Sequence, residues 1–211
     1  MSTKSRKDSY LSELNLKETN PLLVSLSHLA TRENIPIIQP EGLAFLRQII
    51  RLKAIRTILE IGTAIGYSTI AMASVHPAIR IDSIERNQTL YEKAKAHISD
   101  SPYAKQIQLY CADALDFAVA GERTYDLIFI DAAKAQNQKL FEKYEKHLRN
   151  DGVMIVDNLL FHDLVHDRPD SRNLRALVRK IDAFNRYLIA REDFDTTIYP
   201  IGDGMSLSIK R

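Results

Sequence analysis

Glu60-Ile61-Gly62-Thr63-Ala64-Ile65-Gly66-Tyr67-Ser68 closes a short β-branched run, Thr57–Glu60, and leads into a helical pattern, Ser68–Val75. Glycines between a strand and a helix let backbone approach a ligand closely, and the helix's unpaired N–H groups face it. Outward from this turn, the same alternation repeats. Strand-like runs at Ile79–Ile84, Ile107–Cys111, Leu127–Asp131 and Val153–Asp157 are separated by amphipathic stretches at Asn87–Ser99, Gln136–Arg149 and Ser171–Ala190. Continuous apolar strands interleaved with helices predict a mostly parallel α/β sheet covered on both faces. The tail departs from this pattern. Asp195–Ile201 and Met205–Ile209 are joined by Gly202-Asp203-Gly204, which reads as a hairpin and turns the last strand antiparallel. Residues 8–52 read as all-helical, with Pro21, Pro36 and Pro40 marking starts or breaks. The expected organisation is a single domain over 1–211, a helical cap over 1–52 and an α/β core over 53–211.

Composition narrows the function classes. With 211 residues, 45% of them hydrophobic, the chain has enough apolar mass for one continuous core. Seven glycines and seven prolines exclude collagen-like and low-complexity character. The single cysteine, Cys111, excludes an internal disulfide and a CxxC metal pair; at a strand end it reads as a small apolar packing residue. No apolar run reaches spanning length, and the basic start Met1-Ser2-Thr3-Lys4 has no hydrophobic stretch behind it. A cytoplasmic protein with no membrane partner is expected.

The glycine turn carries its own chemistry. Glu85 ends the second strand nineteen residues after Gly66, near the spacing at which an acid accepts from ribose hydroxyls. The turn is G-x-x-x-G, lacking the middle glycine of a pyrophosphate site, and Glu60 beside it would repel phosphate. An acid there suits a cationic ligand, such as one bearing an ammonium and a sulfonium; the plainer alternative is an ordinary strand-to-helix turn. Downstream, Asp131 closes the fourth strand and Asp157-Asn158 the fifth, so adjacent parallel strands would bring the three together at the carboxyl edge. Two carboxylates and an amide oxygen form a hard set suited to Mg²⁺ or Ca²⁺. The competing account is a helix cap at Asp131 and an Asx turn at Asp157-Asn158. His162 and His166 have zinc spacing but lack the Glu of H-E-x-x-H, so a polar loop over the site is expected there.

Charge concentrates in one place. The net charge is +2, yet residues 168–191 carry seven basic residues against Asp170 and Asp182. At about 100° per residue, Arg172, Arg175, Arg179 and Arg186 share one helix face. Leu174, Leu177, Ile181, Phe184 and Leu188 lie opposite. Either a solvated surface or a phosphate-binding stripe fits this pattern.

Glu60-Ile61-Gly62 through Ser68, Ile84-Glu85 and Ala112-Asp113-Ala114 resemble the S-adenosylmethionine-dependent class I methyltransferases. That resemblance implies a Rossmann-like, seven-stranded sheet. It places Glu85 on the ribose, Asp113 by the adenine, the Gly62–Ser68 loop on the methionine part, and Ile38 in a segment covering the cofactor. Asp131-Ala132-Ala133-Lys134 with Asp157-Asn158 is similar to the metal-dependent caffeoyl-coenzyme A and catechol O-methyltransferases. It implies Asp131, Asp157 and Asn158 as Mg²⁺ ligands, Asp131 also near the cofactor's amino group, and Lys134 as the group that helps deprotonate the accepting hydroxyl. Within this family the chain most resembles bacterial tRNA 5-hydroxyuridine methyltransferases, through Ile61–Ser68, Ile84-Glu85-Arg86-Asn87, Ser171-Arg172-Asn173 and the Gly202-Asp203-Gly204 turn. That implies conversion of 5-hydroxyuridine to 5-methoxyuridine at the tRNA wobble position, the anticodon loop docking on Arg172, Arg175 and Arg179, and a homodimer. A catechol or caffeoyl-type small-molecule acceptor is the alternative, and a non-catalytic RNA- or nucleotide-binding module the third reading.

Overall fold

The computed structural model describes residues 10–211 apart from 12, 16, 133, 162–163 and 166–170. Seven strands form one sheet: β1 (Thr57–Ile61), β2 (Arg80–Glu85), β3 (Ile107–Cys111), β4 (Tyr125–Ile130), β5 (Leu148–Val156), β6 (Phe194–Tyr199) and β7 (Met205–Lys210). Their order is β3-β2-β1-β4-β5-β7-β6. All pairs are parallel except β5–β7 and β6–β7, so the C-terminal hairpin inserts β7 antiparallel beside β5.

Helices α1 (Pro21–Glu33), α2 (Pro40–Leu52), α3 (Tyr67–Ala73), α4 (Gln88–Ser99), α5 (Asn137–Tyr144) and α6 (Arg172–Ala190) cover the sheet. Alternation along each strand feeds two cores. Ile58, Ile81, Phe129 and Ile155 pack with Leu23, Leu46, Ile50, Ile70 and Ala94 from α1–α4. Leu59, Ile61, Ile128, Ile130 and Met154 pack with Leu140, Phe141, Phe184 and Leu188 from α5 and α6. Both faces of β1 are therefore buried, as a near-continuous apolar strand requires.

Several sequence expectations change. Residues 8–52 are not all-helical: Asn34 takes φ 53° and ends α1, and the chain runs extended to Pro40, which opens α2. The helix expected over Gln136–Arg149 stops at Tyr144, and β5 begins at Leu148 rather than Val153. Asp151, at φ 57°, sits inside that strand, where the pairing with β4 shifts register. No helix among the described residues is long and apolar enough to cross a membrane.

Register positions the site. Ile61 pairs with both Ile84 and Ile130, and Ile130 pairs with Val156. Gly62, Glu85, Asp131 and Asp157 therefore emerge along one carboxyl edge. The strand order reverses between β1 and β4 at this edge, which opens a crevice there.

Candidate active site

A cavity of about 490 Å³ occupies that crevice. Its base is the turn from Gly62 to Ser68, with Thr63 and Ala64 facing in, and one wall is the extended segment from Pro36 through Ile38 to Gln39. Glu85 and Asp113 line one end, and Asp131, Asp157, Asn158, Lys134 and Asp203 line the other.

The turn's geometry explains its glycines. Gly62 has φ 103°, and a Cβ there would lie 2.0 Å from the Asp131 carbonyl oxygen. The glycine is thus required by the close approach of two protein backbones, and it also lines the cavity. Gly66, at φ 87°, opens α3, and its added Cβ would meet only side-chain and helix atoms at ordinary distance. Glu85 is held by two backbone donors: Ala64 N–H to Oε2 at 2.9 Å and Asn87 N–H to Oε1 at 2.8 Å. Each oxygen keeps a second lone pair, so the carboxylate can still accept from a diol. Asp113 Oδ1 accepts from Leu115 N–H at 2.8 Å, fixing that side chain in an Asx turn.

Glu60 is a correction. It is fully buried and absent from the cavity lining. Its carboxylate accepts from Ser68 Oγ at 2.5 Å, from Ser83 Oγ at 2.6 Å and from Thr69 Oγ1. Burial nevertheless pushes its pKa up to about 7 against those hydroxyls. The acid expected to face a cationic ligand instead ties α3 to β2 beneath the turn, and Ser68 alone of that group reaches the cavity.

At the acid end, strand-edge hydrogen bonds place both carboxylates: Asp131 N–H to Ile61 O at 2.9 Å and Asp157 N–H to Ile130 O at 3.0 Å. Asn158, at φ 69°, turns its amide Nδ2 onto Asp131 Oδ1 at 2.8 Å, while its backbone N–H reaches Asp157 Oδ1 at 2.6 Å. Desolvation raises the pKa of both acids; Lys134 opposes the rise at Asp131, and repulsion from Asp131 adds to it at Asp157. Such a pair gains most from a neighbouring positive charge. Two carboxylates beside an amide suit a hard divalent cation, with the Asn158 amide turned to present oxygen. Among the described residues no third histidine, cysteine or carboxylate completes a ligating group of three, so the candidate set is those three side chains. Lys134 stands at the same wall, its Nζ 5.1 Å from the centroid of the Phe161 ring.

Other residues fall elsewhere. Ile38 is buried in the cavity wall. Arg172, Arg175 and Arg179 are exposed on α6 and do not line the cavity, although α6 packs against the Lys134–Gln136 turn that does. His162 and His166 lie outside the described residues. Cys111 is exposed, its Sγ 3.1 Å from Gln88 Oε1, and is not the packing residue its neighbours suggested. Sequence reading missed Asp203. The Gly202-Asp203-Gly204 run was legible only as a hairpin link; its closeness to Asp157 arises from long-range bonds, Leu159 N–H to Gly204 O and Leu160 N–H to Asp203 O.

The O-methyltransferase family model matches residues 11–211, and the chain belongs to that family. It is 30% identical to a catechol O-methyltransferase of Niastella koreensis, covering 96% of this chain and 95% of that protein. A Staphylococcus aureus structure with a provisional caffeoyl-CoA O-methyltransferase assignment superposes with TM-score 0.91 at 37% identity, over 97% of this chain and 99% of that one. The O-methyltransferase TomG of Streptomyces achromogenes, solved with SAM, gives TM-score 0.81 at 27% identity, over 100% and 99% of the two chains.

Proposed function

We propose that the protein is an S-adenosylmethionine-dependent O-methyltransferase whose acceptor carries two neighbouring oxygens, of the catechol or caffeoyl type. The carrying observation is one cavity with a diol-accepting carboxylate, Glu85, at one end and the Asp131, Asp157 and Asn158 set with Lys134 at the other. The cofactor supplies a methyl group on a cationic sulfur; the acceptor oxygen bonds that carbon from the side opposite sulfur while the C–S bond breaks and the sulfur departs as the neutral thioether of S-adenosylhomocysteine. Glu85 accepts from the ribose hydroxyls, Asp113 borders the base, and Ile37 and Ile38 exclude water from that end. Asp131, Asp157 and Asn158 would hold Mg²⁺ or a similar hard cation. Bound there, such a cation would lower the pKa of the reacting hydroxyl. Lys134, at the same wall, receives the hydroxyl proton at Nζ when its amine is neutral. The test is methyl transfer from S-adenosylmethionine to catechol and caffeoyl-CoA. Turnover should be lost with a chelator and regained with Mg²⁺; turnover that persists after exhaustive chelation counts against the cation.

A second reading, methylation of wobble 5-hydroxyuridine in tRNA, draws support from the exposed arginines at the start of α6, whose helix packs beside Lys134. The 5-hydroxyl and 4-carbonyl of that base are vicinal oxygens, and an anticodon-loop base is already unpaired. The phenolic reading has the stronger backing from relatives. Parallel kcat/KM measurements on hydroxyuridine-containing tRNA and on catechol decide between the two.

A further inference from the structure

Lys134 lies three positions after Asp131 and lines the same cavity as Asp131 and Asp157. An ammonium so close to two carboxylates would be expected to close onto them. Among the described residues it forms no ion pair, and its Nζ stands instead over the Phe161 ring. That ring is placed with some force. Phe161 holds φ 48°, a left-handed conformation that costs an aromatic residue energy. The strip before it is bolted to the C-terminal hairpin by Leu159 N–H to Gly204 O at 2.9 Å and Leu160 N–H to Asp203 O at 2.8 Å. After it, Leu164 N–H bonds the Phe161 carbonyl at 3.0 Å. The same few residues that present Asp157 and Asn158 therefore also present the ring.

We propose that Phe161 is a positioning residue that holds Lys134 off the acid pair, keeping Asp131 and Asp157 open to a divalent cation while the amine stays at the cavity wall. This rests on the cation reading above. A tethered ammonium is an internal competitor at high effective concentration, and it would neutralise the site that a cation must enter. The negative face of an aromatic ring gives that ammonium an alternative seat without a competing formal charge. Without the ring, the lysine falls onto the carboxylates.

Calorimetric titration of the full chain with Mg²⁺ tests this directly, using Phe161→Leu, Phe161→Met, Phe161→Trp, Lys134→Met and the Phe161→Leu/Lys134→Met pair. Loss of the ring should weaken Mg²⁺ binding about threefold to tenfold, the range set by one cation–π contact. Phe161→Trp should bind as wild type does. The double variant should regain the affinity of Lys134→Met, because the competitor has gone; a purely structural role for the ring would leave it weak. Phe161→Met removes the ring but leaves a long, unbranched side chain that adapts to the space, so a folding defect confined to Phe161→Leu does not decide the matter. Unchanged Mg²⁺ affinity in both ring-less variants, or a double variant as weak as Phe161→Leu, overturns the role of Phe161 and leaves the cation reading standing. Wild-type protein that binds no Mg²⁺ overturns both.

Discussion

Replacing Gly62 with alanine should damage this protein far more than the loss of one glycine implies. Two costs combine. At φ 103° the backbone lies where L residues rarely go, which alone costs about 1–2 kcal/mol. The new Cβ would also sit 2.0 Å from the carbonyl oxygen of Asp131 and 2.8 Å from its carbonyl carbon. Neither atom can rotate aside, so the ends of β1 and β4 must separate by roughly 1 Å or more, bringing the total to about 3–5 kcal/mol. Gly121 provides the control: its φ is 61°, but nothing lies within 4 Å of its added Cβ. Gly121→Ala should therefore cost only about 1 kcal/mol. Thermal unfolding of both variants measures the difference, which should appear as a melting temperature for Gly62→Ala lower by about 10 °C. Because Asp131 moves with the strand end, affinity for S-adenosylhomocysteine should fall as well. Equal destabilisation by the two substitutions, within about 1 kcal/mol, would refute the backbone-crossing argument.

Asp157→Ala should lower kcat for a catechol acceptor by roughly 10²-fold or more, since the proposed cation site loses one of its two carboxylates; initial rates across Mg²⁺ concentrations check this. Without divalent cation, stability should decline as pH rises from about 5 to 7. Glu60 has a folded pKa raised from 4.5 to about 7, so the folded state binds more protons than the unfolded chain in that window, at a cost approaching roughly 3 kcal/mol once it is ionised. Thermal melts from pH 5 to 8 should show this slope, and Glu60→Gln should make it shallower, leaving the share that Asp131 and Asp157 contribute. Reversing Arg172, Arg175 and Arg179 to glutamate should leave catechol turnover within about twofold, because none of the three lines the cavity. The same change should reduce any tRNA methylation by at least tenfold, with a weaker salt dependence.

Much of the fold is local chemistry, and so was legible in the linear chain. The alternation of β-branched runs with amphipathic helices needs only neighbouring residues to be read, as does the Gly-Asp-Gly hairpin. Asp131, Asp157 and Asn158 were legible because parallel neighbours present their C-terminal residues at one edge. What failed was whatever depended on crowding or burial. Glu60 was misjudged because its sequence does not reveal that Ser68, Thr69 and Ser83 will surround it. The start of β5 was misplaced at Val153 because Asp151-Gly152, which lies inside the strand, carries residue preferences that a bulge shares with a turn.

The amino-acid order by itself determined the layered sheet, the glycine turn, and which side chains stand at the carboxyl ends of the strands, because periodicity and strand-end position are properties of adjacent residues. Tertiary structure alone decided that Gly62 makes room for Asp131, that Asp203 joins the cavity, and that Lys134 rests on Phe161 and not on its acidic neighbours. Those outcomes depend on contacts between residues far apart in the chain, whose distances are set only when the whole core packs.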